Sequence, residues 1–224
     1  MKQLLGILSI FITSALLHAQ QPAAWLTDYA TAANQAKAEK KDLLIVFTGS
    51  EWIEICRVFE ENILSQPDFI DSVGANYVLL KLEFPKNNKL PEEKAKVYQL
   101  LKNSYRVQGY PTVVLTDSEA RPFGINGYQP VTAAEYAKVV NVMQKGRLHR
   151  DEQFQKAQSM QGPERAKTIA DAIPQLPGSL SARYYRYAME EAIRSDPQDQ
   201  SGVGTRFRNL IADVEYSNQM QSLS

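Results

Sequence analysis

Five consecutive apolar residues, Leu43-Leu44-Ile45-Val46-Phe47, run into the turn residues Thr48-Gly49-Ser50 and then into a segment that ends at Cys56. An apolar run of this length between turn formers reads as a buried strand, followed here by a tight turn and the start of a helix. Upstream, Trp25, Leu26, Tyr29, Ala30, Ala33 and Ala36 recur at helical spacing, with Asp28, Gln35 and Lys37 off the stripe. An amphipathic helix over residues 25 to 42 is therefore expected to lead into the strand. Downstream, Val58, Phe59, Ile63 and Leu64 carry helical spacing, Pro67 interrupts it, and Phe69, Ile70 and Val73 continue it in a second helix. The stretch from Tyr77 to Phe84, rich in branched and aromatic residues, reads as another strand. Helix, strand, helix, strand in this order begins a parallel βαβ arrangement.

The polar, Pro-bounded stretch from Pro85 reads as an exposed insertion or turn before a helix through Val97, Leu100 and Leu101. Tyr105 to Thr112 then leads into a strand, Val113 to Asp117, with Pro111 just ahead of it, and Arg121 to Tyr128 supplies a hairpin end and last strand. A closing helix starts at Thr132, which with Glu135 three residues later has the form of a capping box. After Arg147 the apolar residues thin out. Helices are expected near 151–160, 163–173, 180–194 and 203–219, divided by Gly162-Pro163, Pro174 to Gly178 and Ser195-Asp196-Pro197. Tyr184, Tyr185, Tyr187, Ala188 and Ala192 would form one inward stripe, and Phe207, Leu210, Ile211 and Val214 another. These helix pairs loosely resemble tetratricopeptide-type hairpins, but no 34-residue repeat satisfies that pattern.

At the other end, Lys2, an apolar core from Leu4 to Leu17 and a small residue at Ala19 have the layout of a secretory signal peptide over residues 1–19. Its apolar core is short for a membrane span, and nothing basic follows it to stop transfer. The chain is thus expected to be exported, to a periplasm or beyond, with no membrane association after cleavage. With 25 basic and 25 acidic residues and no long run of either sign, nothing asks for a nucleic acid partner. An exported chain meets an oxidising compartment, yet one cysteine cannot close an internal disulfide or perform dithiol chemistry alone. Of the two histidines, His18 lies in the signal peptide. His149 reads as a surface residue with no metal-ligand spacing around it, so neither a metal nor another cofactor is expected.

Two separated motifs carry a resemblance. Thr48-Gly49-Ser50-Glu51-Trp52 with Cys56, and Tyr105-Arg106-Val107-Gln108-Gly109-Tyr110-Pro111-Thr112 ahead of a strand, resemble the thioredoxin-like superfamily over residues 25 to about 145. In particular they are similar to exported bacterial members with the motif Thr-Gly-Ser-Asp-Trp-Cys-x-x-Cys. The resemblance implies an α/β thioredoxin-like fold, a central mixed sheet flanked by helices, over residues 20–147, with a C-terminal α-helical extension over 148–224. It also implies that Pro111 is cis and that the backbone beside it pairs with an extended polypeptide. Against the motif, Glu51 replaces Asp and Ile53 replaces the attacking cysteine. Cys56 keeps the resolving position, and Phe47 stands where thioredoxin keeps a buried acid.

A thioredoxin-type thiol is activated by a helix N-terminus, whereas apolar surroundings such as Ile53 and Ile55 raise a thiol pKa. Cys56 therefore reads either as a small core hydrophobe or as a monothiol for disulfide exchange, thiol trapping or an intermolecular disulfide. Glu51 and Glu54, three residues apart, read as a complement to the helix macrodipole or as an acid/base pair. Three functions follow. The first is a binding module for protein or extended peptide that has lost its dithiol, with Trp52, Ile53, Tyr110, Pro111 and Thr112 forming the groove. The second is monothiol chemistry at Cys56, and the third is a structural envelope scaffold.

Overall fold

A strand of seven residues with every side chain buried needs neighbours on both edges and cover on both faces, and β1 (Asp42–Thr48) is such a strand. The computed structural model describes residues 24–87 and 89–222, so the expected signal peptide lies outside the described residues. β1 pairs in parallel with β2 (Tyr77–Glu83), Leu44 opposite Leu79. On its other edge it pairs antiparallel with β3 (Thr112–Thr116), Ile45 opposite Val114. β3 turns back into β4 (Pro122–Asn126), and the strand order is β2-β1-β3-β4. The sheet is mixed, with its parallel half built by the expected βαβ crossover.

Side chains alternate across a strand, so β1 feeds two cores at once. Leu44 and Val46 join Phe59, Phe69, Tyr136 and Val140 on one face. Leu43, Ile45 and Phe47 join Ala32, Ala36, Tyr98 and Leu101 on the other. The first face is covered by α2 (Glu54–Phe59), a π-helical turn over Glu60–Leu64, α3 (Pro67–Gly74) and the start of α5 (Ala133–Ala157). The second is covered by α1 (Tyr29–Glu39) and α4 (Glu92–Ser104). Four further helices follow: α6 (Gly162–Ala172), α7 (Gly178–Tyr184), α8 (Arg186–Ser195) and α9 (Val203–Ser222). They share a third core around Ile169, Met189, Ala192 and Phe207.

Three expectations need correcting. Trp25 and Leu26 are not on the first helix. Asp28 caps α1 by accepting the Thr31 N–H at 2.8 Å, so the helix begins at Tyr29. Leu26 is extended, bonded to Leu79 and Lys81 of β2 at 2.8 Å each, and the Trp25 indole donates to the Leu64 carbonyl at 3.1 Å. The closing helix and the helix expected near 151–160 are one 25-residue α5, which passes through Arg147 without a break. The helix expected over 180–194 is divided at Tyr185, whose hydroxyl donates to the Pro122 carbonyl at 2.8 Å and whose backbone leaves the helical region to allow it.

That hydroxyl belongs to a buried joint between sheet and extension. The guanidinium of Arg150, only 1% exposed, donates to Asp117 at the end of β3 at 2.7 Å, and to the Tyr185 hydroxyl at 2.7 Å. One turn earlier, Arg147 binds Asp42 at the start of β1 at 2.9 Å and Asp151 at 2.8 Å. The extension is therefore fastened where β1 begins and β3 ends. Among the described residues, no helix is long and apolar enough to cross a membrane.

Candidate functional site

At the opposite pole, where β1 ends and β3 begins, the chain makes the turn Gly49 to Trp52. The N–H groups of Trp52 and Ile53 both donate to the Gly49 carbonyl, at 3.1 and 2.8 Å. A Cβ on Gly49 would stand 2.8 Å from the indole nitrogen of Trp52, so glycine is what lets that ring lie on the backbone. The indole N–H donates to the Phe84 carbonyl at 2.8 Å, and the Ser50 hydroxyl donates to Glu83 at 2.7 Å. These bonds fix the turn against the end of β2. The other Glu83 oxygen is buried without a partner.

Ile53 is the N-cap residue of α2 and provides no side-chain cap, though its carbonyl accepts from Cys56 and Arg57 at 3.0 and 3.2 Å. A cysteine at this position would sit at the positive end of a helix. The side chain actually there is a hydrocarbon whose Cδ1 would stand 3.3 Å from a Cβ on Gly49. Cys56, one turn on, faces inward and is 1% exposed. Among the described residues it is the one thiol, and reagents in solution do not reach it without an opening of the fold.

Glu51 and Glu54 do not act as a pair. Glu54 is bound by Arg57 at 2.5 Å, which holds its carboxyl below the usual range, and the same guanidinium binds Glu61 at 2.7 Å. Glu51 is exposed. Separate environments could have pushed two carboxyl pKa values apart. An arginine that claims one of them removes the acid/base arrangement.

Across from the turn, the Tyr110-Pro111 bond is cis, as expected. The Thr112 hydroxyl donates to the Gly109 carbonyl at 2.8 Å, closing the bend that delivers the chain into β3. A Cβ on Gly127 would lie 3.4 Å from the Pro111 carbonyl, so the end of β4 passes close beneath it. Trp52 and Tyr110 meet edge to face at 6.4 Å and 84°. The structure thus brings Trp52, Ile53, Tyr110, Pro111 and Thr112 to one end of the sheet and turns Cys56 away into the interior.

Two further residues complete this surface. Phe84 stacks on Tyr110 at 5.0 Å and on the core residue Phe47 at 6.3 Å, joining the rim to the interior. In the last turn of α4, the Lys102 ammonium lies 4.9 Å from the Tyr110 ring centroid and 5.7 Å from that of Phe84. Neither was legible in the sequence as a site residue: Phe84 looked like the end of a strand and Lys102 like a polar position of a helix. The rim is apolar and open, with Trp52 47% and Ile55 39% exposed.

Elsewhere, a cavity of about 420 Å³ opens between α5, α6 and α8, lined by Phe154, Tyr184, Tyr185 and Tyr187. Among the described residues, no group of three or more His, Cys, Asp or Glu side chains could hold a metal ion. His149 is exposed on α5.

Comparison with known proteins agrees with this geometry. The disulfide bond reductase DsbH of Chlamydia pneumoniae is 32% identical over 112 residues, 50% of this chain and 68% of that protein. The thioredoxin-related protein DsbJ of the same organism is 28% identical over 97 residues, 43% of this chain but only 28% of its own length. The solved structure of a DsbH oxidoreductase superposes with a TM-score of 0.53 at 30% identity, covering 56% of this chain and 86% of that one. The family model of the thioredoxin-like domain matches residues 29–144, ending inside α5. The chain belongs to the thioredoxin-like domain family.

Proposed function

We propose that this protein is an exported thioredoxin-like module that has lost the attacking cysteine and binds extended polypeptide at the surface formed by Trp52, Ile53, Tyr110, Pro111 and Thr112. The observation that carries the reading is the division of labour at α2. The position that would stabilise a thiolate is held by Ile53, while the remaining thiol is buried. Relatives named for disulfide bond reduction and for thioredoxin set the redox background. What this chain keeps of that background is the part that holds a substrate: a pinned indole, a stacked tyrosine and the bend ahead of β3. Tyr110 and Pro111 lie outside helix and strand just ahead of β3, and this stretch of backbone is where an added extended segment would pair. Disulfide exchange through Cys56 is disfavoured by its burial.

Two measurements test the reading together. The protein should not accelerate reduction of a protein disulfide by a dithiol, and it should bind extended peptides with an affinity that Tyr110→Ala and Pro111→Ala both reduce. Turnover of disulfides by the unaltered chain would overturn the loss of activity. Peptide capture indifferent to both substitutions would overturn the groove. Export is tested by intact mass, which should show cleavage near Ala19.

A further inference from the structure

A cation stands against the aromatic rim of the groove. Lys102 is half-buried in the last turn of α4, and its ammonium rests on the faces of Tyr110 and Phe84. Among the described residues it has no carboxylate partner. Other lysines of the same helix are engaged: Lys96 binds Glu92 and Glu93, and Lys94 reaches the Thr27 hydroxyl. A lysine near a helix C-terminus also complements the macrodipole, but that role asks only for proximity to the last carbonyls. The position over Tyr110 asks for more, because Tyr110 directly precedes Pro111 and touches Trp52. The loop that follows α4 adds Arg106, whose guanidinium donates to Asn218 and to no carboxylate among the described residues.

Resting on the groove reading above, we infer that Lys102 is a specificity-determining residue and that the polypeptide held beside Pro111 is one with an acidic side chain directed at α4. A cation held against aromatic faces has part of its hydration replaced by ring π-density, and an incoming carboxylate completes its coordination. The opposite wall of the groove sets the limit of the preference. Glu51 is exposed there, and Glu54 and Glu61 share the single guanidinium of Arg57. A run of acids would be repelled on that side, so the preference is for an acid at one position rather than for a polyacid.

The experiment uses short, neutral, fluorescently labelled extended peptides in which a single Glu is moved residue by residue, with Gln and Lys counterparts, read by anisotropy against the full chain. At one window of positions Glu should bind about 2- to 5-fold more tightly than Gln, the range of a partly exposed ion pair. Lys should bind more weakly there, and the difference should vanish in about 1 M salt. Lys102→Gln should abolish the preference, and Lys102→Glu should invert it at the same window, a result a purely structural lysine would not give. Binding without positional charge preference, or a preference that survives Lys102→Glu, would overturn this inference and leave the groove standing. Failure of every peptide to bind would overturn the groove reading itself and this inference with it.

Discussion

Ile53 and Cys56 are three residues apart and have opposite environments, and each allows a direct test. Ile53→Cys would place a thiol at the N-cap of α2, next to the Trp52 ring and one turn before Cys56. A helix N-terminus lowers a thiol pKa, so this substitution should raise disulfide reductase activity above that of the parent, measurable by insulin turbidity. Cys56 should resist alkylation in the native protein and react at once in denaturant. Cys56→Ser puts a hydroxyl into a site that is 1% exposed and should cost about 1–3 kcal/mol in urea denaturation while leaving peptide binding unchanged. Acidity adds a further test at Asp151. Burial works to raise its pKa, but hydrogen bonds from Arg147 and Arg150 outweigh it and hold the carboxyl below its usual range. A group depressed in the folded state contributes stability above its unfolded pKa, near 4, and loses it as pH falls through the folded value. Asp151→Asn should therefore melt with a shallower dependence on pH below about 4 than the parent. Asp42 works the other way, since burial raises it despite Arg147, and its protonation on acidification is not a loss to the folded state.

At the level of elements, the decisive contact is Arg150 with Asp117 and Tyr185. Replacing Arg150 by Met leaves a buried carboxylate with a partner missing. The expected cost is about 3 kcal/mol, at the low end for a broken buried pair, because Arg121 and two backbone N–H groups still hold Asp117. At about 2–4 °C per kcal/mol for a chain of this size, calorimetry should show a fall of about 6–12 °C. This joint also marks where reading the sequence stops. The strands were legible because β1, β2 and β3 each contain at least three consecutive apolar residues, and the start of α5 because Thr132 and Glu135 form a local capping box. The bend at Pro111 was legible through the resemblance to the thioredoxin-like superfamily rather than from its own residues. The division of the helix at Tyr185 was not, since its cause is a hydrogen bond to Pro122, 63 residues away. Trp25 and Leu26 misled for the same reason: their helical spacing is local, whereas the strand partner that claims Leu26 is more than fifty residues on. Lys102 and Tyr110 meet through tertiary packing alone.

As a whole, the molecule has the Trp52 and Pro111 surface at one end of its sheet and the Arg147 and Arg150 anchors at the other. The seven residues of β1 run from Asp42 to Thr48, about 20 Å at the usual strand rise. Because α5 packs on the sheet with its first turns and on the extension with its last, the two parts should unfold together. Urea transitions followed by Cys56 reactivity and by far-ultraviolet dichroism should coincide, and a chain ended at Arg147, which lacks Arg150, should melt well below the parent. The two indoles divide between different parts of this architecture. Trp52 lies at the rim, nearly half exposed, while Trp25 is part-buried, tied to Leu64 and covered by the Lys81 ammonium at 5.4 Å. The protein thus carries two optical reporters of distinct colour. Emission from Trp52 should lie further to the red and change when the proposed groove is occupied, and bluer emission from Trp25 should report whether Trp25 and Leu26 stay fastened to the sheet.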